Sequence, residues 1–483
     1  MVENGGKIMD FSTAGYMGGG VARPIVFPVI TLTAPKDPTV DAGLIIQQAI
    51  DEQAKQPLVN GFRNGGSILL SAGTWNIAST ININTSGIVL QGDPNGATVF
   101  VAQGEPKVLF QIGAKTADRL ETKKYTISDS YVPLGAEVIN LDSTSGLKSG
   151  DSISIQIPVT AEWIASMGMD KLVRDGAPQV WLTPGSKISI DRVIKNVNSS
   201  TQITLDAALP QPIDALYTQS LGGAFISKYT TNNRISQVGL ENIQAQGAFL
   251  NVPISSPLWS FASMNNVVDA WMENIQMTDF GGGAVSCNKR CQRITLNNLS
   301  IARSQLQPST DGSAADFNLS GSQVLIRNAS MSSPQLPTSN GGNYFFVMSG
   351  STVEGPNVIL NMTQISGNRG SIQPHMRWSA GLLVDNAVLP NGRVEFMNRG
   401  NMGSGHGWTI GYGVIWNSIT NSFHNQTPPG SNNWAVGVLG KPSPKNFDGN
   451  WGTALHLGSL YNEVPSLYLY QLNERLGLDA LRW

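Results

Sequence analysis

The chain has 483 residues, a formal net charge of −2 and 13% charged side chains, where soluble proteins average about 25%. That balance, with no basic run, excludes the electrostatic footprint of a nucleic-acid binder. No stretch reaches the roughly 18 consecutive apolar residues of a membrane-crossing helix, and the 52 glycines suit β-surfaces better than helical bundles.

The opening, MVENGGKIMDFSTAG, lacks a charged-then-apolar signal pattern, so the chain reads as soluble. VDAGLIIQQAIDEQA predicts a short amphipathic helix capped by Asp41, with Leu44, Ile45 and Ile50 on its apolar side. GGSILLSAGTWNI and STININTSGIVLQGDPNGATVF then read as β-runs broken by Gly and Asn. Residues 1–115 are thus assigned to an N-terminal cap and the first coils. Between 116 and 230, hairpin-like runs such as SKISIDRVIKNVNSSTQITLDAAL flank TAEWIASMGMDKLVRDGAPQVWL, which is richer in Trp, Met and charge. This segment predicts a β-rich insertion leaving one early turn. It either walls a substrate cleft or embellishes the scaffold.

From 231 to 440 a short strand recurs, each copy followed by Asn and another apolar run: VGLENIQA, AWMENIQM, ITLNNLSI, VLIRNASM, VILNMTQI, LLVDNAVL and GVIWNSIT. The asparagines are Asn242, Asn274, Asn298, Asn328, Asn361, Asn386 and Asn417, spaced 32, 24, 30, 33, 25 and 31 residues apart. Such periods signal a solenoid. Two residues before each Asn stands Leu240, Met272, Leu296, Ile326, Ile359, Val384 or Ile415, all apolar, whereas the residue between is mostly polar. Alternation with period two means strands. The fold class expected is therefore all-β, a parallel β-helix, with the asparagines turned inward as a buried amide ladder. Asn298, Asn328 and Asn361 lie in glycosylation sequons, and an inward ladder would close them to glycans. Cys287 and Cys291, in CNKRC, are too few for a structural zinc site; a small-loop disulfide and free thiols both remain open.

The order of helix, then Gly65, Gly66, Gly73 and Trp75 in GGSILLSAGTW, resembles the start of the pectate-lyase-like superfamily of right-handed parallel β-helix proteins. DFSTAGYMGGGVARP, QPHMRWSAGLLVDN and NRGNMGSGHGWTIGYGVIWN look like its polysaccharide-active members, so that the resemblance spans nearly the whole chain. It implies a right-handed solenoid with an N-terminal capping helix, and carbohydrate chemistry on a polysaccharide or oligosaccharide. No Asp trio suited to calcium is present, so no metal or other cofactor is expected, in contrast to the calcium-dependent pectate lyases. The implied location is secreted or periplasmic.

The candidate site follows from QPHMRW and NRGNMGSGHGW. His375 and Arg377 are two apart and share a side if extended. Arg399 and His406 follow about one coil later, so stacking would gather all four, with Trp378, Trp408, Tyr412 and Trp416 as sugar-binding aromatics. Arginine can pair with a uronic carboxylate and steady a developing enolate. Histidine is the natural base. The leading expectation is thus a lyase acting by β-elimination. The alternative, an inverting glycoside hydrolase, would use Asp385 and Glu395 as its carboxylates. A non-catalytic carbohydrate-binding or adhesion solenoid is the third reading. His424 and His456 have no comparable company in sequence. Residues 441–483 are expected to cap the final coil through Leu467, Leu469 and Leu472.

Overall fold

The computed structural model describes residues 7–116, 118–231, 233–305, 315–334, 345–367, 370–445 and 447–478. One parallel sheet system winds through most of them as a right-handed β-helix of three faces. The first face stacks Val89–Gly92, Ile235–Gln246, Val267–Thr278, Cys291–Ala302, Ser322–Arg327, Val353–Leu360, Ser379–Asp385 and Val414–Trp416. Leu240 pairs with Met272, Met272 with Leu296, then Ile326, Ile359, Val384 and Ile415 in turn. All seven are fully buried in one core. The apolar column read from the repeat is the strand register itself.

Each repeat asparagine marks the corner between the first and second faces, in the left-handed region with φ between 44° and 57°. Asn tolerates that conformation better than other side chains. Asn274 donates to Asn242 at 3.0 Å, Asn298 to Asn274 at 2.7 Å, Asn328 to Asn297 at 2.9 Å and Asn361 to Asn328 at 3.1 Å. The ladder therefore exists, but on the outside: Asn298, Asn328 and Asn361 are exposed. A left-handed residue turns its own side chain out while swinging the chain inward, which corrects the expectation of a buried ladder. The three sequons are occupied by ladder bonds rather than hidden.

The N-terminal helix Ala42–Ala54 is capped by Asp41, which accepts from Gly43 N at 2.9 Å. Its buried stripe is Ala42, Ile46, Ile50 and Gln53, whereas Leu44 faces solvent. The expected stripe was rotated, because Ile46 lies one turn before Ile50 and Leu44 does not. Cys287 and Cys291 are free thiols buried in the solenoid core. Among the described residues no helix is long and apolar enough to cross a membrane.

Between Ile112 and Ile235 the chain leaves the solenoid at the corner joining the third face to the first. It builds a separate antiparallel sheet from Ser152–Pro158, Lys187–Val197, Phe225–Thr231 and shorter partners. Solenoid stacking runs on beneath it, Val108–Ile112 pairing directly with Ser260–Met264. Arg192, 1% exposed, ties the sheet down by donating to the carbonyls of Ala207, Ala208 and Gly355.

The N-terminal segment crosses the outer side of the first face. Gly15 N donates to Gln323 O, Tyr16 N to Thr295 Oγ1 and Tyr16 OH to Gln237 Oε1. The C-terminal helix Leu467–Leu476 lies beside it, over Leu383, Trp416 and Val436. Tyr468 donates to Ala14 O, and Gln471 to Met9 O. This helix is a lateral strap on the first face rather than a lid over the last coil. Outward apolar residues of that face, such as Leu360 and Val414, are buried in one cluster with Leu467, Tyr468 and Leu472 of the helix.

Candidate functional site

The third face carries Ser371–Pro374, Val388–Phe396 and Ile419–Thr427 in successive coils. After each strand the chain turns towards the first face, at the corner from which the insertion emerged. His375 and Arg377 sit in the turn after Pro374, and the loop 398–408 follows Phe396. That loop is pinned at its neck, where Arg399 N donates to Gly407 O at 2.9 Å and Gly407 N to Gly400 O at 2.8 Å. It is also pinned to the turn below, where Arg377 N donates to His406 O at 2.8 Å and Trp378 N to Trp408 O at 3.0 Å. Glycine is required at position 403: φ is +57°, and a Cβ would lie 2.3 Å from the His406 ring.

Four sequence-chosen residues meet here. The His375 and His406 ring centroids are 4.8 Å apart. Arg399 Nη1 lies 3.0 Å from His375 Nδ1 and donates to His375 O at 3.0 Å. Arg377 reaches the loop instead, donating to Ser404 O at 2.8 Å and Ser404 Oγ at 2.7 Å. Burial and then the Arg399 charge hold His375 down at about 3, and the same causes hold His406 at about 4. Both imidazoles are therefore neutral at ordinary pH. His406 Nδ1 and Arg399 Nε are buried with no hydrogen-bond partner among the described residues.

Glu395 belongs to this cluster. It is 5% exposed, accepts from Gln373 Nε2, and lies 3.7 Å from Arg393 Nη1. His424, passed over in the sequence reading, is the cross-strand partner of Glu395. Its Nε2 donates to Pro444 O at 3.1 Å, and burial lowers its pKa. Laying GRVEFMN over NSFHNQT in coil register would have found it. The insertion adds Arg174, which donates to Gly403 O.

The other candidates lie elsewhere. Asp385 is on the first face beneath the C-terminal helix, where its Oδ2 accepts from Ser466 Oγ at 2.7 Å and Tyr468 N at 2.9 Å. Burial raises it to about 7. Trp378 and Trp408, 1% and 2% exposed, are packed into the core of the insertion. Trp378 stacks edge-on against Trp163 and Trp181, while Trp408 Nε1 donates to Met167 O. Neither offers a ring face to a sugar. Tyr412 lines a separate cavity of about 340 Å³ with Tyr131, Trp163 and Tyr217. Trp416 is buried under the strap, its Nε1 donating to Val464 O.

No known family model matches the chain, and no curated protein matches it. Among solved structures it is similar to an exopolygalacturonase from Thermotoga maritima, at 10% identity over 90% of this chain and 82% of that one, TM-score 0.40. It is similar to the tailspike of E. coli bacteriophage HK620 at 10% identity over 93% and 65%, TM-score 0.38. A third is the tailspike gp49 of Pseudomonas phage LKA1, at 14% identity over 86% and 69%, TM-score 0.35.

Proposed function

We propose that this protein is a polysaccharide lyase that cleaves a uronic-acid polymer by β-elimination at the His375–Arg399–His406 cluster, outside the cytoplasm. The observation that carries the reading is a pair of neutral imidazoles, 4.8 Å apart, held against one arginine. Arginine can only donate. Arg399 Nη1 lies 3.0 Å from His375 Nδ1 and 3.4 Å from Nε2, while Gln373 Oε1 stands 3.2 Å from Nδ1. The shorter arginine contact is taken as the donated one, which places the ring proton on Nε2. His375 is then a proton donor and His406 the base.

In this scheme His406 takes the proton from the carbon α to the sugar carboxylate. Arg399 stabilises the charge that builds on the carboxylate. The bond from the β carbon to the glycosidic oxygen breaks, a double bond forms between the two carbons, and His375 Nε2–H protonates the departing oxygen. Protons and electrons balance without a cofactor.

Hydrolysis would need a second carboxylate about 5–9.5 Å from Glu395. Asp385 does not supply one, being committed to the C-terminal helix on the first face.

The test is digestion of a panel of uronic-acid polysaccharides. Unsaturated, ultraviolet-absorbing ends are expected to appear in step with reducing ends. Reducing ends without that absorbance would replace elimination by hydrolysis, and binding with neither product would leave an adhesion protein.

A further inference from the structure

A second cleft, of about 220 Å³, opens along the same corner under the insertion, in the coils just before the histidine cluster. Its outer wall is the insertion sheet, where Ser189 Oγ donates to Gln156 Oε1 at 3.2 Å and Gln156 Nε2 to Ser154 Oγ at 2.6 Å. The solenoid wall presents Lys289, Ser322 and Glu354. The cleft adjoins the first site: Thr352, on its lining, donates its backbone N–H to Arg377 O at 3.1 Å.

Glu354 is the unusual member. It is 4% exposed, and neither carboxyl oxygen has a hydrogen-bond partner among the described residues. A buried polar group in that state is rare and asks for a reason. Arg192, a charge contributed by the insertion, already donates to four carbonyls, and Lys289 donates to Thr352 Oγ1 at 2.8 Å. Burial raises the Glu354 pKa well above the ordinary carboxylate range, against the pull of Arg192 and Lys289. Burial thus shifts the group towards its neutral, proton-donating form, and no acceptor meets it among the described residues. Asp191, the other carboxylate of the cleft, is already taken by Tyr229 OH at 2.8 Å and by Arg234. Lys187, Lys289 and Arg290 leave the rim cationic.

We propose that this cleft is a carbohydrate subsite that holds an acidic sugar unit of the polymer attacked at the histidine cluster. Lys289 pairs with the sugar carboxylate, Glu354 donates to a hydroxyl or ring oxygen, and the Ser154–Gln156–Ser189 row meets the remaining hydroxyls. The assignment rests on the acidic-polysaccharide reading of the neighbouring site.

The experiment uses the full chain carrying Arg399→Ala, which silences the first site, titrated calorimetrically with galacturonate and mannuronate oligomers and with a neutral glucose oligomer. Binding of an acidic oligomer should persist in that background. Adding Glu354→Ala or Lys289→Ala should weaken it by about tenfold or more, and Glu354→Gln, which keeps a donor, should stay close to the parent. Unchanged affinity in both alanine variants, or no acidic-oligomer binding at all, overturns the subsite. Lys289→Ala lies on the rim and keeps the test valid should Glu354→Ala unfold. Unsaturated product from the unmodified protein alongside indifferent cleft variants removes the subsite and leaves the lyase reading. Loss of binding in the cleft variants without any unsaturated product does the reverse.

Discussion

Arg399 Nη1 stands 3.0 Å from His375 Nδ1 and also donates to His375 O at 3.0 Å. The contact fixes a neutral ring beside a fixed positive charge. With burial, it keeps His375 and His406 unprotonated down to about 3 and about 4. The base form of His406 is thus present above pH about 4, and kcat/KM should fall only below that value. Arg399→Gln should move this acid limb upward, towards 6.5, while lowering kcat by roughly 10²–10³. A limb that already sits near 6.5 and stays there in the variant would sink the assignment. Because the unfolded chain binds more protons than the folded one between these values and 6.5, the two histidines also make stability rise with pH across that window.

Gly403→Ala tests the loop without touching a reacting group. The added Cβ would meet the His406 ring at 2.3 Å in a backbone with φ +57°. Turnover should drop by about 10²-fold through displacement of the base, with KM changed far less. A wild-type turnover number in this variant would show that His406 is not the base.

Asn328 separates backbone from ladder. Asn328→Gly keeps the left-handed corner and removes the amide bonds to Asn297 and Asn361, costing about 0.5–1.5 kcal/mol. Asn328→Ala loses the same bonds but keeps a left-handed Cβ without the amide that offsets it, so it should be less stable than Asn328→Gly by about 1–2 kcal/mol. Equal destabilisation in denaturant titrations would mean that the corner conformation carries no weight.

Asp385→Asn probes the strap. Burial raises this carboxyl from its ordinary 3.8 to about 7. Its contribution is therefore fully present below about pH 4 and is lost as pH rises through about 7. The amide still accepts from Ser466 and Tyr468 but never ionises, so the variant should be more stable than the parent above pH 7 and equally active. Loss of activity with stability intact would restore Asp385 to a catalytic role.

The β-helix was legible because its strongest constraint is local and repeated. Leu240, Met272 and Leu296 must alternate with outward neighbours, and Asn must take the corner, in every coil. Whether an outward residue meets solvent depends on segments far away in sequence. Trp378 and Trp408 look like sugar platforms until the insertion arrives with Trp163 and Trp181. Asp385 looks like an exposed acid until Ser466 caps over it. His424 was hidden for a related reason, since its partner Glu395 is adjacent only through strand register. Leu44 was misplaced on a helix too short for its period to be read unambiguously.

In a stacked array each coil touches only its neighbours, so such molecules tend to fray from their ends. Here Tyr468 and Gln471 grip Ala14 and Met9, and the segment they hold is fastened in turn to Gln323, Thr295 and Gln237. The segments around Met9–Tyr16 and Leu467–Leu476 thus meet on one flank, bracing coils that have no direct contact with one another. Peeling a terminal coil away means first undoing that clasp, which turns a row of separable units into a body that yields as a whole.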